Sequence, residues 1–147
     1  MNLEYKVGSI DDLLAIENQI PEFATPRKGE EVADKLRDKQ HLLLVAYAQG
    51  KPVGYKLGHE LPNNEFYSWL GAVIPEYRGK GIAKQLLVMQ ETWCKAQGYS
   101  AIRVKSRNLF KNMLLMLISR DYQIVKCEQI HGSSDCKIHF YKQLPKA

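Results

Sequence analysis

Three absences in the sequence each exclude a class of protein. Its three cysteines, Cys94, Cys127 and Cys136, are odd in number and widely spaced, which fits neither a disulfide framework nor a zinc site. The longest apolar runs, Met113 to Ile118 and Leu42 to Ala46, fall far below the roughly 20 residues of a membrane-spanning helix. No segment is repeated or low in complexity. We therefore expect neither a bound metal nor insertion into a membrane.

The N-terminal segment, Met1 to Lys6, has no basic stretch followed by an apolar stretch and a cleavage site. We therefore expect no secretory signal and a cytoplasmic location. Basic residues outnumber acidic ones by 21 to 16, for a formal net charge of +5. This excess is modest, the cations are spread along the chain, and no nucleic-acid-binding motif accompanies them. We expect no nucleic-acid partner.

Apolar residues are present in the amount and the pattern of one folded domain. A chain of 147 residues, 45% of them hydrophobic, can bury roughly 70% of its unfolded surface. No linker divides it, so the sequence predicts a single domain over residues 1–147. Asp11 and Asp12 precede apolar residues at helical spacing, and Pro21 ends that helix. Further helices are predicted over 30–39, 83–98 and 110–120, and strands over 42–47, 53–57, 66–74, 101–105, 122–130 and 137–142.

The middle of the chain predicts a crossover unit. A strand over 66–74, a long helix that Gly98 ends and a strand over 101–105 follow one another, so the two strands should be parallel. Gly79 and Gly81 occupy the turn between the first strand and the helix. Free backbone N–H groups and the positive end of the helix dipole suit such a turn to an anion. The spacing is not that of a Walker loop, and the dinucleotide pattern fails because Lys84 stands at its third position.

A wider pattern surrounds this turn. Arg78-Gly79-Lys80-Gly81-Ile82-Ala83 reads Arg-x-x-Gly-x-Ala, with Val73 to Tyr77 before it and Leu86-Leu87 after it. It resembles the acyl-CoA motif of the GNAT superfamily of N-acetyltransferases. The segments Ser106 to Leu114 and Asp121 to Ile124 look like the second motif of that superfamily, an Asn before a helix and then an aromatic residue opening a strand. The resemblance covers nearly the whole chain.

The resemblance implies a fold, a cosubstrate and its binding residues. The fold is α/β (α+β): one GNAT-like domain with a mixed, mostly antiparallel central sheet that contains a parallel crossover pair and is flanked by helices. The cosubstrate is acetyl-CoA. Its pyrophosphate would lie on the amides of Gly79, Lys80, Gly81, Ile82, Ala83 and Lys84, with charge from Arg78, and its pantetheine along the backbone of Gly71, Ala72 and Val73. Asn108 would contact the cofactor or, alternatively, serve as a helix N-cap.

Transfer of an acyl group to an amine requires the neutral amine. An alkyl amine with a pKa near 10.4 is neutral only about once in 2,500 molecules at pH 7, a deficit of roughly 4.6 kcal/mol. A carboxylate is the usual base in the superfamily, and the candidates here are Glu65 and Glu60, with His59 beside them. Glu65 ranks first, because a two-residue period places it on one strand face with Tyr67, Trp69 and Gly71.

The leaving thiolate lacks its usual proton donor. Relatives place a tyrosine in the second-motif helix, whereas this sequence has Leu117 or Ile118 at that position, and Asp121 replaces the usual glycine. Tyr67 and Tyr141 are the candidate substitutes. Without such a donor, the chain could instead bind acyl-CoA and not turn it over.

The sequence therefore predicts an N-acetyltransferase that passes an acetyl group from acetyl-CoA to a primary amine by direct attack in a ternary complex. The alternative is a non-catalytic acyl-CoA-binding regulatory or interaction module of the same fold. The acceptor is a small-molecule or peptide amine of undetermined identity, and a homodimer remains open. Glu22, Glu60, Glu65 and Asp135 would attract a cationic amine if they converged.

Overall fold

The computed structural model describes residues 2–23, 25 and 27–146; Met1 and Ala147, the ends of the predicted domain, lie outside this range. Over the described residues the chain forms one sheet with flanking helices. The strands are β1 (Leu3–Val7), β2 (His41–Ala48), β3 (Lys51–Leu61), β4 (Glu65–Val73), β5 (Ala101–Arg107), β6 (Gln123–Gln129) and β7 (Cys136–Gln143). The helices are α1 (Ile10–Glu17), α2 (Gly29–Leu36), α3 (Ile82–Gln97) and α4 (Lys111–Ser119).

All seven strands join one mixed sheet in the order β1-β2-β3-β4-β5-β7-β6. Strands β4 and β5 pair in parallel, and every other pair is antiparallel. Helix α3 connects the parallel pair, which confirms the predicted crossover unit. Gly98 ends α3 in the left-handed conformation at φ 87°, donating its N–H to carbonyls of the last turn. The predicted fold class is confirmed.

Both faces of the β1–β4 half of the sheet are covered. On one face Tyr55 of β3 contacts Glu17 of α1, and on the other the side chain of Ile82 of α3 lies against Gly54. Five consecutive residues of β2, Leu42 to Ala46, are buried, as expected for a strand that is covered on both faces.

Only one face of the β5–β7 half is covered. Buried side chains from β5 and β7, among them Val104 and Phe140, point to the face on which α4 packs. Their neighbours on the other face, Arg103, Lys105 and Tyr141, are exposed or half-buried. The sheet therefore has an uncovered, polar face on one side of β4.

The N-terminal elements differ from their sequence predictions. Strand β1 was not predicted, because its five residues alternate apolar and polar side chains over too short a stretch to indicate a strand. Pairing with β2 stabilises it. The N-cap of α1 is Ser9, which forms a reciprocal capping box with Asp12. Helix α2 ends at Leu36 rather than residue 39, since Arg37 has ψ 131° and Asp38 has φ 60°.

The described residues contain no helix that is both long enough and apolar enough to cross a lipid bilayer.

Candidate functional site

Strands β4 and β5 separate along their length. They pair only between Glu65–Ser68 and Ala101–Val104, although β4 continues to Val73 and β5 to Arg107. We call the gap between their C-terminal halves the splay. On the side of the splay, the edge of β4 has no neighbouring strand, so backbone groups there can bond an extended ligand as they would bond a strand.

A β-bulge lies where the splay begins. Leu57 of β3 pairs with Leu70, but the next residue, Gly58, pairs with Ser68, so Trp69 is the extra residue. Because of this bulge, Gly71 does not share a strand face with Tyr67 and Trp69, contrary to the prediction from the two-residue period. Tyr67 and Trp69 do share a face, since both rings pack edge-on against His59. Gly71 faces the other side, where its Cβ would lie 3.4 Å from the Nζ atom of Lys56.

Beyond β4, the predicted anion loop has the expected backbone. Gly79 and Gly81 have φ values of 77° and 81°, and no atom lies within 4 Å of a Cβ built on either. The N–H groups of residues 79–84 donate to no backbone or side-chain acceptor in the described part of the chain. The first turn of α3 contains no acidic residue and no capping side chain. The loop therefore presents free donors and the positive end of a 16-residue helix to solvent.

The guanidinium of Arg78 is bonded within the chain. Its Nε atom donates to the carbonyl oxygen of Val73 at 2.9 Å, and its two terminal nitrogens donate to the carboxylate of Glu22 at 2.8 and 3.2 Å. These hydrogen bonds hold the pKa of Glu22 below its ordinary value. Arg78 thus ties the loop to the end of β4, and the exposed Lys80 and Lys84 remain to supply charge beside the free amides.

Asn108 lies in the loop after β5. Its N–H donates to the carbonyl of Cys136 at 2.9 Å, and its side-chain oxygen accepts from Lys111 at 3.0 Å. Phe110, rather than Asn108, is the N-cap of α4, so the capping alternative is wrong. The side-chain amide of Asn108 is exposed, and Asn108 follows the last residue of β5 directly.

Neither predicted carboxylate base reaches the splay. Glu60 accepts the N–H of Gln40 at 2.9 Å, which ties the end of β3 to the turn before β2. Glu65 is bonded to Arg103, with Nε to Oε1 at 2.6 Å. It also stands three residues before the end of the β4–β5 pairing at Ser68, about 10 Å along the strand. Both carboxylates therefore already have structural partners.

The four acidic residues considered for a cationic amine do not converge. Glu22 is paired with Arg78, Glu65 with Arg103, and Asp135 with Arg107 at 2.8 Å. Asp135 also accepts the N–H groups of Leu109 and Cys136, joining two loops. The expectation of an acidic acceptor pocket is not supported by this geometry.

Aromatic side chains line the mouth of the splay on the face of α2. The ring centroid of His59 lies 5.5 Å from that of Tyr67 and 5.8 Å from that of Trp69. Burial lowers the pKa of His59, and Lys39 and Lys35 add to the effect, so the ring is neutral near pH 7. Burial raises the pKa of the half-buried Tyr67, which keeps its phenol protonated. The Tyr67 hydroxyl therefore stays protonated near neutral pH, and Tyr67 lies in the paired part of β4, one residue before the splay.

The helix position that holds a tyrosine in relatives is apolar here, as the sequence indicated. Leu117 is fully buried and Ile118 is 53% exposed, so neither supplies a hydroxyl. Asp121 adopts φ 69°, the left-handed conformation for which glycine is usual and aspartate is tolerated. Tyr141, the other candidate donor, lies under the guanidinium of Arg103 and is separated from β4 by β5.

Sequence reasoning missed a buried polar group beneath α3. Lys56 is only 5% exposed, and burial lowers the pKa of its ammonium to about 8, opposed by the charge of Glu91. The hydroxyl of Ser68 and both side-chain polar atoms of Gln90 are buried with no hydrogen-bond partner among the described residues. A lysine inside the apolar run of β3 was the available signal. This polar group adjoins the splay through Gly71, which has no side chain to separate them.

No group of three or more His, Cys, Asp or Glu side chains in the described ranges is arranged to hold a metal ion.

The fold and the loop have counterparts among known proteins. Residues 10–113 match the model of the acetyltransferase (GNAT) family. The ribosomal-protein-S18-alanine N-acetyltransferase of Escherichia coli has a similar structure, with TM-score 0.86 and 14% identity over 99% of this chain and 96% of that one. A phosphinothricin acetyltransferase from Sinorhizobium meliloti, solved with AcCoA, has TM-score 0.81 and 19% identity over 98% of this chain and 89% of that one.

At these identities the structural likenesses show the fold alone. A search of curated proteins found no significant match. The family model, however, spans well over half of the chain and includes the splay and the glycine loop. The chain belongs to the GNAT acetyltransferase family.

Proposed function

We propose that this protein transfers the acetyl group of acetyl-CoA to a primary amine by direct attack within a ternary complex. The observation that carries the proposal is the continuity between the splay and the loop of free amides at residues 79–84. An extended chain that ends in a pyrophosphate fits this arrangement, since the strand edge offers backbone groups and the helix N-terminus offers anion donors. The phosphinothricin acetyltransferase solved with AcCoA has the same fold.

The cofactor residues follow from this placement. The backbone of Gly71, Ala72 and Val73 bonds the pantetheine amides along the free edge of β4. The amides of Gly79 to Lys84 hold the pyrophosphate, with Lys80 and Lys84 as its counter-charges. Arg78 positions the loop rather than the phosphates. The exposed amide of Asn108 contacts the cofactor from the opposite edge of the splay.

The reaction joins the nitrogen of the neutral amine to the carbonyl carbon and breaks the carbon–sulfur bond. The nitrogen loses one proton to solvent, and the sulfur gains one. The leaving group is a thiolate whose parent thiol has a pKa near 8.5, so it can leave without a donor, although a positioned acid still accelerates the step. Tyr67 is the donor that we assign, because it is protonated and lies one residue before the start of the splay. Replacement by phenylalanine should lower kcat by about 10²-fold if the phenol donates this proton.

Two observations favour the second candidate, an acyl-CoA-binding module without turnover. The helix α4 has no hydroxyl at its usual position, and both predicted carboxylate bases are bonded elsewhere. The two candidates differ in one measurable quantity, the release of free thiol from acetyl-CoA in the presence of an amine.

Calorimetry with CoA and acetyl-CoA, followed by thiol release with a panel of amines, tests both. Gly81→Asp places a carboxylate among the amides that bind pyrophosphate, while Gly81→Asn makes the same backbone change without the charge. We expect the aspartate variant to bind CoA at least tenfold more weakly than the asparagine variant. Equal affinities in folded proteins would contradict the cofactor site. Binding without thiol release from any amine would support the module instead.

A further inference from the structure

Four side chains, two aromatic and two basic, lie together beside the start of the splay. On the face of α2, Tyr67 and Trp69 of β4 form one wall, and each ring carries a lysine ammonium. The Nζ atom of Lys105 from β5 lies 5.3 Å from the ring centroid of Tyr67, and that of Lys35 from α2 lies 5.9 Å from the ring centroid of Trp69. We call Tyr67, Trp69, Lys35 and Lys105 the acceptor face.

Positive charge on the acceptor face is not balanced by nearby carboxylates. Along the same face of β5, the neighbouring arginines Arg103 and Arg107 are bonded to Glu65 and Asp135. No salt bridge joins Lys35 or Lys105 to any residue that the structure describes, and both side chains are exposed. The neighbouring carboxylates are thus bonded to other cations, including Glu128 to His139 beside Lys105, and the two ammonium groups remain available.

We propose that the acceptor is a small primary amine that also carries an anionic group, a carboxylate or a phosphate. This inference rests on the proposed function and names its substrate class. The two lysines bind the anion, the rings of Tyr67 and Trp69 contact the carbon chain, and the amine reaches the thioester in the splay. A polyamine fits poorly, because its second ammonium would stand beside Lys35 and Lys105.

The same charges assist the chemistry. A cation near the acceptor's ammonium disfavours its protonated form. The face therefore attracts an acceptor through its anion and favours the neutral amine that attacks. This effect reduces the need for a carboxylate base at the splay.

Affinity measured by calorimetry on the protein saturated with CoA tests the inference without turnover, because CoA carries no acetyl group. Three primary amines of four carbons differ in the group at the far end of the chain, which is a carboxylate in 4-aminobutyrate, a methyl group in butylamine and an ammonium group in putrescine. We expect 4-aminobutyrate to bind at least tenfold more tightly than butylamine, and putrescine to bind most weakly.

Charge reversal locates the effect. Lys105→Glu should weaken the binding of 4-aminobutyrate at least tenfold, and this variant should bind putrescine more tightly than 4-aminobutyrate. Lys51→Glu, at the exposed start of β3, changes the net charge equally and should leave the ranking unchanged. An unchanged ranking in Lys105→Glu, or a preference of the unaltered protein for putrescine or butylamine, would overturn the inference.

Further ligands test whether the amine belongs to a peptide, and whether the lysines bind a nucleic acid instead. Thiol release then distinguishes the anion site from the proposed acetyl transfer. Amidated Ala-Glu and Ala-Lys dipeptides show whether a peptide N-terminus with an adjacent acid is bound like 4-aminobutyrate. A short oligonucleotide that binds more tightly than any amine, and is released by Lys105→Glu, would assign the lysines to a nucleic acid and overturn the inference. The expected binding order without thiol release would uphold the anion site and contradict acetyl transfer; thiol release with putrescine preferred would do the reverse.

Discussion

The two halves of the sheet perform different tasks. In the β1–β4 half, strands β2 and β3 are buried almost throughout, between α1 and α2 on one face and α3 on the other. In the β5–β7 half, the edge strand β6 has six exposed residues of seven, and one face bears charged side chains in ion pairs. The candidate site lies where the two halves separate. Stability should therefore depend mainly on the first half, and ligand recognition on the boundary and the open face.

The largest expected effect breaks the packing of the first half. Phe66 of β4 is fully buried and lies against Trp93 and Tyr99 of the α3 region, with ring centroids 5.5 and 5.2 Å away. Phe66→Ala should reduce the free energy of unfolding by about 3–5 kcal/mol. Val125→Ala on β6, where the side chain is 51% exposed, should cost less than about 0.5 kcal/mol. Urea denaturation measures both; similar losses would contradict the division of the sheet.

Removal of a buried charge from the same half should stabilise it. Burial lowers the pKa of Lys56 from 10.5 to about 8, so between these values the unfolded chain binds more protons and stability rises with pH. Lys56→Met should raise the free energy of unfolding by up to about 3 kcal/mol below pH 8, and this gain should disappear as pH approaches 10.5. Denaturation of both proteins between pH 7 and 10 provides the difference. A gain independent of pH would show that burial does not lower the pKa of Lys56.

A buried hydrogen bond in the first half should contribute less. Tyr55 donates its hydroxyl to Glu17, a buried carboxylate whose other partner is Arg27 at 3.2 Å. Burial and this carboxylate raise the pKa of Tyr55. Tyr55→Phe removes one of the two hydrogen bonds to this buried carboxylate and should cost about 1–3 kcal/mol in thermal or urea unfolding. Tyr141→Phe, at a half-buried ring of the open half, is the matched control and should have little effect.

The smallest expected effect concerns the boundary itself. The Glu65–Arg103 pair is partly exposed, with 44% of the arginine side chain accessible, so Glu65→Gln should change stability by less than about 1 kcal/mol. Because Arg103 already binds the carboxylate, we expect thiol release to fall equally little at pH 7 and pH 9. A loss much greater at pH 7 than at pH 9 would instead identify Glu65 as the base, as the sequence suggested.

Local patterns predicted the elements that depend on local forces. The glycines at 79 and 81 do adopt left-handed conformations, Gly98 does end α3, and the strand predicted over 66–74 forms with its ends shifted by one residue. Strand β1 escaped prediction because its stability comes from pairing with β2, about forty residues away. The bulge at Trp69 escaped for the same reason: the register of β4 depends on its neighbours, and the extra residue moves Gly71 to the opposite face.

The candidate site also combines features that the sequence predicts with features that depend on tertiary contacts. The free amides of residues 79–84 follow from a glycine turn before a helix, which the sequence states directly. The ion-pair partners of Glu65, Arg78 and Asp135 do not follow from the sequence, because a charged side chain bonds to whichever opposite charge the fold brings near it. Those pairings engage the acidic residues and leave Lys35 and Lys105 unpaired among the described residues.

The sequence by itself determined the family, the order of the elements and the place of the anion loop, since each depends on spacing within a few residues. Only the tertiary structure decided which charges remain available at the mouth of the splay. Ion pairing and strand register are set by distances between segments far apart in the chain, and no local pattern encodes those distances.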